Sequence, residues 1–142
     1  MYHMLDAPES SSILGSWERA CGAFTQVLGY TWFGSIFLRN PETQEYLVLH
    51  PLMYGMNAQD CGRFDSVAEY ETTVLKDPEI VRDFLRPEDL TILKARLGPP
   101  ATLQVYFPVP YRFIGGSGEL STYQKGHVWV FADLVGQTWG IE

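Results

Sequence analysis

The sequence predicts an α+β fold, a mainly antiparallel sheet with an N-terminal helix and a central helical pair packed on it. Three observations predict it. β-rich runs come early, in 30–50 (YTWFGSIFLRNPETQEYLVLH), and late, in 125–137 (KGHVWVFADLVGQ). Helical patterns are grouped between them. The early strands are joined by a short polar turn and not by crossover helices, which argues against a parallel, Rossmann-like sheet. At 142 residues, 46% hydrophobic and 14% aromatic, the chain reads as one domain over 1–142 with a sizeable core.

Taken in order, Trp17, Ala20, Cys21, Phe24, Val27 and Leu28 recur at the spacing of one helical face, with Ser16 placed to cap the start and Gly29 to end it. A helix is expected over 17–28. Residues 32–39 and 45–50 read as strands around a polar, Pro-containing turn at 40–44, hence a β-hairpin. Pro51 closes the second strand, and 52–63, with Tyr54, Gly55, Asn57 and Gly62, reads as a loop.

Ser66 and Glu69 form a capping-box pattern, so a helix starts at Val67 and turns Val67, Tyr70, Val74 and Leu75 inward. Asp77 and Pro78 interrupt it; a short helical piece follows over 78–84, and Pro87 opens another helix whose Leu90, Leu93 and Leu97 share a face. Gly98 and the Pro99–Pro100 pair stop it. A strand is expected over 103–107, a long loop over 111–126, and a last strand over 127–135.

Ten Lys and Arg stand against seventeen Asp and Glu, a net charge of −7. Such a surface repels phosphate backbones and anionic lipids, and attracts basic proteins over a Debye length of ~8 Å. The cations are scattered, so no nucleic-acid partner is expected. No apolar run approaches the ~18 residues a membrane span needs, and MYHMLDAPESSS lacks the regions of a signal peptide. A cytoplasmic location without membrane association is expected, with Cys21 and Cys61 as thiols.

Chemistry-bearing motifs are sparse. The GGSG at 115–118 lacks the Gly-Lys-Ser/Thr of a phosphate loop, and Ser117 between two glycines is too tightly flanked for a nucleophile elbow. His3 falls in a terminus expected to fray; His50 and His127 fall at strand ends with no Cys, His or Asp at metal-ligand spacing. Glu88 and Asp89 occupy the first turn of a helix, where its dipole accounts for them. No catalytic set, metal or cofactor is expected. A hydrolase would require titratable groups converging near His50 or His127, and a small-molecule or peptide sensor would require a pocket lined by Trp32, Trp129 and Trp139. The positive signal is a surplus of aromatics in loops: Tyr54, Tyr106, Tyr111, Phe113, Tyr123 and Trp139.

The run YTWFGSIFLRNPETQEYLVLHPL, then GRFDSVAEYETTVLKDP, then VYFPVPY, GGSG and TYQKGHVWVFADLVGQ together resemble a bacterial domain found in immunity proteins of type VI secretion nuclease effectors. The likeness runs from about Ile13 to Gln137. Its hairpin signature is carried by Phe33, Gly34, Phe37 and Leu38 and the turn at 40–45, its helix signature by Ser66, Val67, Glu69 and Tyr70. The resemblance implies an immunity-like domain that binds a cognate toxin directly and has no catalytic residues. On that expectation the contact surface is formed by loops 53–65 and 111–125, with Asp60, Asp65 and Glu119 as charge partners and Tyr54, Tyr111 and Tyr123 as anchors.

Overall fold

In the computed structural model, which describes residues 1–53 and 57–140, five strands form one antiparallel sheet in sequential order: β1 (Tyr2–Ser10), β2 (Gln26–Thr31), β3 (Ile36–Arg39), β4 (Glu45–Leu49) and β5 (Ala58–Arg63). A separate antiparallel pair is made by β6 (Gln104–Pro108) and β7 (Tyr123–His127). The α+β class and the antiparallel sheet are as the sequence predicts. Hydrogen bonds from Tyr106 N to Trp32 O (2.8 Å) and from Leu103 N to the Tyr30 hydroxyl (2.7 Å) tie the pair to the sheet.

While the edge strands β1 and β5 are polar and largely exposed, both faces of the sheet are covered over its interior strands β2–β4, which are accordingly mostly apolar. Alternation sorts them: Val27, Ile36, Leu38 and Leu49 enter one cluster with Leu14, Trp17 and the helix α5 (Val128–Trp139). Leu28, Phe37, Tyr46 and Val48 enter the opposite cluster with Tyr70 and Leu75. A third cluster joins Leu90 and Leu93 to Tyr106 and Tyr123.

The expected N-terminal helix over 17–28 is corrected. A 3-10 segment (Ser11–Trp17) leads into a short α1 (Glu18–Cys21) that stops at Gly22, and 26–31 is β2, an interior strand between β1 and β3. A single helix would have carried Gly22 and β-branched Thr25 and Val27 in its interior, against a ladder able to satisfy the β2 backbone on both edges. Gly29 sits where β1 passes so close that a methyl group would overlap His3 O. It is therefore a strand residue and not a helix stop. The first residues are strand β1, and His3 lies 5.5 Å from the Tyr30 ring.

The hairpin is β3 and β4, shortened because 32–35 form a turn organised by Thr31, whose Oγ1 accepts from the N–H groups of Phe33 and Ser35. The expected loop 52–63 contains β5. Ser66 caps α2 (Val67–Tyr70), which continues as a π-helical turn through Leu75. Asp77 caps α3 (Pro78–Ile80), also extended by a π turn to Leu85. Then α4 (Pro87–Leu97) opens at Pro87 as expected.

The last expected strand, 127–135, is also corrected. Strand β7 takes up the end of the expected loop 111–126 and the first residue of the expected strand, His127, which also caps α5, its Nδ1 accepting from Trp129 N at 3.2 Å. Val128, Phe131, Ala132, Val135 and Gly136 are buried at helical spacing. The 3-10 segment docks on that helix through Trp17 Nε1 to Ala132 O (2.7 Å) and Ser16 N to Asp133 Oδ1 (2.7 Å). Ser16 is thus engaged by α5 and caps no helix.

Candidate functional site

Of the residues expected to contact a partner, Tyr54 lies outside the described residues. Asp60 is exposed on β5, its Oδ1 accepting from Gly62 N at 2.9 Å. Asp65 is exposed just before α2, and Glu119 is exposed in the connection between β6 and β7. Tyr111 is half-buried against Phe113, Phe107 and Phe131. Tyr123 is 6% exposed, with its ring edge-on to Phe33 and its hydroxyl accepting from Arg86. Tyr123 is thus a core residue and not a loop anchor, because it belongs to β7, which the sequence pattern left in a loop; Tyr106, counted among the loop aromatics, is buried on β6, within the strand expected over 103–107.

The expected contact loop 111–125 is tied by a residue outside it to Pro51, in the stretch that leads into the other expected loop, 53–65. Trp139, at the end of α5, stacks on Phe113 with centroids 3.9 Å apart and donates from Nε1 to Pro51 O at 2.7 Å. Asn57 closes the other side, its Nδ2 donating to His50 O and Met53 O, each at 2.9 Å. One end of the molecule therefore carries residues 50–53, 57 and 111–114 on a shared aromatic support. Beside that support Ile114 is 54% exposed and Val109 43% exposed. Sequence reading missed both, although a Val and an Ile set in a Pro- and Gly-rich loop were a visible signal of apolar side chains without a core to enter.

The three tryptophans do not share a pocket. Trp32 lies under Lys94 Nζ (4.9 Å), Trp129 stands edge-on to Tyr30 (5.8 Å), and Trp139 holds the loop junction.

His50 joins the sheet to the helical layer. It is buried; its Nδ1 lies 2.8 Å from Ser35 Oγ, its Nε2 lies 3.2 Å from Gln59 Oε1, and its ring stacks on Phe84 at 4.8 Å. Gln59 accepting from Nε2–H leaves Nδ1 to accept from the Ser35 hydroxyl. Burial holds the imidazole below its ordinary pKa, with the Gln59 hydrogen bond acting the other way. This places a hydroxyl, an imidazole and an orienting group in the relation that nucleophilic catalysis uses. The N–H groups of Phe33, Gly34 and Ser35 are all engaged by Thr31, so none of these three is free to serve an oxyanion; an open groove of about 360 Å³, lined by Ser35, His50, Asp83, Phe84 and Arg86 among others, adjoins the pair. The enclosed cavity behind the pair, about 20 Å³, has room for a water. The arrangement works as a latch between sheet and helices.

Among the described residues no group of His, Cys, Asp and Glu is placed to hold a metal ion, and no helix is long and apolar enough to cross a membrane. The GGSG loop uses its amides internally, Gly115 N donating to Arg112 O and Gly116 N to Tyr111 O (3.2 and 3.0 Å).

Charge is unevenly distributed. Residues 65–89 hold eight carboxylates and three cations, five of the seven net negative charges. Among the described residues two ion pairs form, Arg82–Asp83 and Arg86–Asp89. Asp60, Asp65, Glu69, Asp77, Glu79 and Glu119 are exposed without one.

No family model and no curated protein matches the chain. Among solved structures, the crystal structure of Atu4351 from Agrobacterium tumefaciens is similar over 96% of this chain, with a TM-score of 0.63 at 16% identity. The chain spans 66% of that neighbour's length. At this identity the likeness shows the fold alone.

Proposed function

We propose that the chain is an immunity-type protein that binds a cognate secreted toxin, of the nuclease class exported by type VI systems, and neutralises it by direct contact in the bacterial cytoplasm. The observation that carries the reading is the acidic surface over Asp60–Asp89, whose carboxylates have few cations of their own to pair with. Enzymes that act on nucleic acid present basic clefts, and an acidic protein is steered to such a cleft at rates raised by charge. The resemblance of the hairpin and Ser66–Tyr70 motifs to immunity domains points the same way. A catalytic reading has less to stand on, since the amides of Phe33, Gly34 and Ser35 beside the Ser35–His50 pair are all engaged by Thr31.

The test is co-expression with the product of the adjacent gene. Rescue of growth together with a stable complex is the expected result. An adjacent product that is toxic and is neither bound nor relieved by this chain would overturn the reading.

A further inference from the structure

Resting on that reading, the groove between α3 and α4 gives the contact a place. We propose that a basic partner protein docks in this groove, setting a Lys or Arg side chain against Glu88 and the apolar stem of that side chain over Val81 and Pro87.

The groove is open, about 470 Å³, and its lining combines Pro78, Val81 and Pro87 with Arg82, Arg86, Glu88 and Asp89. Its walls are fixed before any partner arrives. Asp77 caps α3 by accepting from Glu79 N at 2.9 Å, and Pro78 and Pro87 occupy the first turns of their helices. Between the two helical pieces Arg86 is held in the left-handed region (φ 48°, ψ 62°). That conformation is strained for a non-glycine residue and persists only where its surroundings hold it. Here the guanidinium is paired with Asp89 at 2.8 Å, donates to the Tyr123 hydroxyl at 3.3 Å and lies 4.1 Å over the Phe33 ring. A surface shaped in advance loses little freedom on binding.

Charge selects the occupant. Both arginines of the lining are already matched, Arg82 by Asp83 at 2.9 Å and Arg86 by Asp89 at 2.8 Å. Glu88 is exposed and has no ion pair among the described residues, and the same holds for Glu79, next to Pro78 of the lining. Lys76, the third cation of residues 65–89, stands outside the lining. The charge left over in the groove is therefore negative, and it suits a cation whose stem can cover an apolar wall. Ile92, 52% exposed, lies one turn beyond Glu88 on the same face of α4, so an apolar side chain stands beside the unmatched carboxylate. A second copy is disfavoured, because a two-fold contact would bring Glu79 and Glu88 toward their own copies on chains of charge −7.

The probe is the purified product of the adjacent gene, inactivated for toxicity, titrated against wild type, Glu88→Lys, Arg82→Glu and Ile92→Ala. Glu18→Lys, on α1 at the other face of the sheet, is the control with the same change in net charge. Circular dichroism checks the folding of each. Binding is expected to weaken at least about tenfold in Glu88→Lys and less than about threefold in the control. In Arg82→Glu it should be as tight as in wild type or tighter, and weaker binding there would overturn the basic occupant. Wild-type affinity in both Glu88→Lys and Ile92→Ala would overturn the groove and leave the function standing. Failure of the wild type to bind would remove both. Self-association of the wild type that Ile92→Ala abolishes would replace the basic partner with a second copy.

Discussion

At the scale of single residues, His50 couples the sheet to the helical layer and to the junction loop. Burial lowers its pKa in the folded state, so between its unfolded value, ~6.5, and the lower folded one the unfolded chain binds more protons. Its contribution is present above the unfolded value and is lost as pH falls toward the folded one. Denaturant unfolding between pH ~7.5 and ~5.5 should show stability falling with acid in the wild type. The slope should be shallower in His50→Gln, and equal slopes would contradict the role. Tyr46 offers a second test. It is fully buried, and among the described residues its hydroxyl has no hydrogen-bond partner to offset the desolvation of that oxygen. Tyr46→Phe is expected to leave stability unchanged or raise it by up to ~1 kcal/mol. A loss above that in thermal unfolding would mean that the hydroxyl has a partner.

At the scale of elements, α5 shows how a helix can hide in a β-rich composition. Val128, Trp129, Val130 and Phe131 favour strands by propensity, but the burial pattern has a helical period. The buried spacing was present in the sequence, and the competing propensity masked it. The helix is admitted close to the 3-10 segment by Gly136, where a methyl group would overlap Ser16 Oγ and come within 2.8 Å of Trp17 Nε1. Gly136→Ala therefore sets a helix-propensity gain of ~1 kcal/mol against displacement of a buried Trp. A net loss of ~1–2 kcal/mol is expected, measured by urea unfolding. A stabilised variant would show that the packing yields easily. By contrast α2 and α4 were legible from Ser66 and Pro87, because such start signals are local and need no tertiary partner; at α3 the break was legible, but Asp77, read as an interruption, is the cap of the next helix.

At the scale of the whole molecule, the excess of carboxylates over 65–89 should govern encounter with a basic partner. Raising salt from ~50 to ~500 mM should slow association with the toxin several-fold while leaving dissociation nearly unchanged. Stopped-flow or surface-resonance kinetics would show this, and a salt-independent association rate would exclude steering by these carboxylates. Exposed Asp60, Asp65 and Glu119 could be anticipated from polarity and turn context alone. The joining of the 50–53 stretch to the loop at Phe113 through Trp139 could not, since Phe113, Trp139 and Pro51 are remote in sequence.

The sequence by itself determined the class, the antiparallel hairpin at 36–49, the capped helices over 67–97, the net charge and the scarcity of catalytic motifs. These depend on local periodicity, capping and composition. Only the tertiary structure decided that 26–31 is an interior strand and that 128–139 is a helix. It also decided that Tyr123 is core and that Trp139 joins two loops. Each of those outcomes turns on which distant segment satisfies a backbone or covers a ring, and local propensity does not encode that choice.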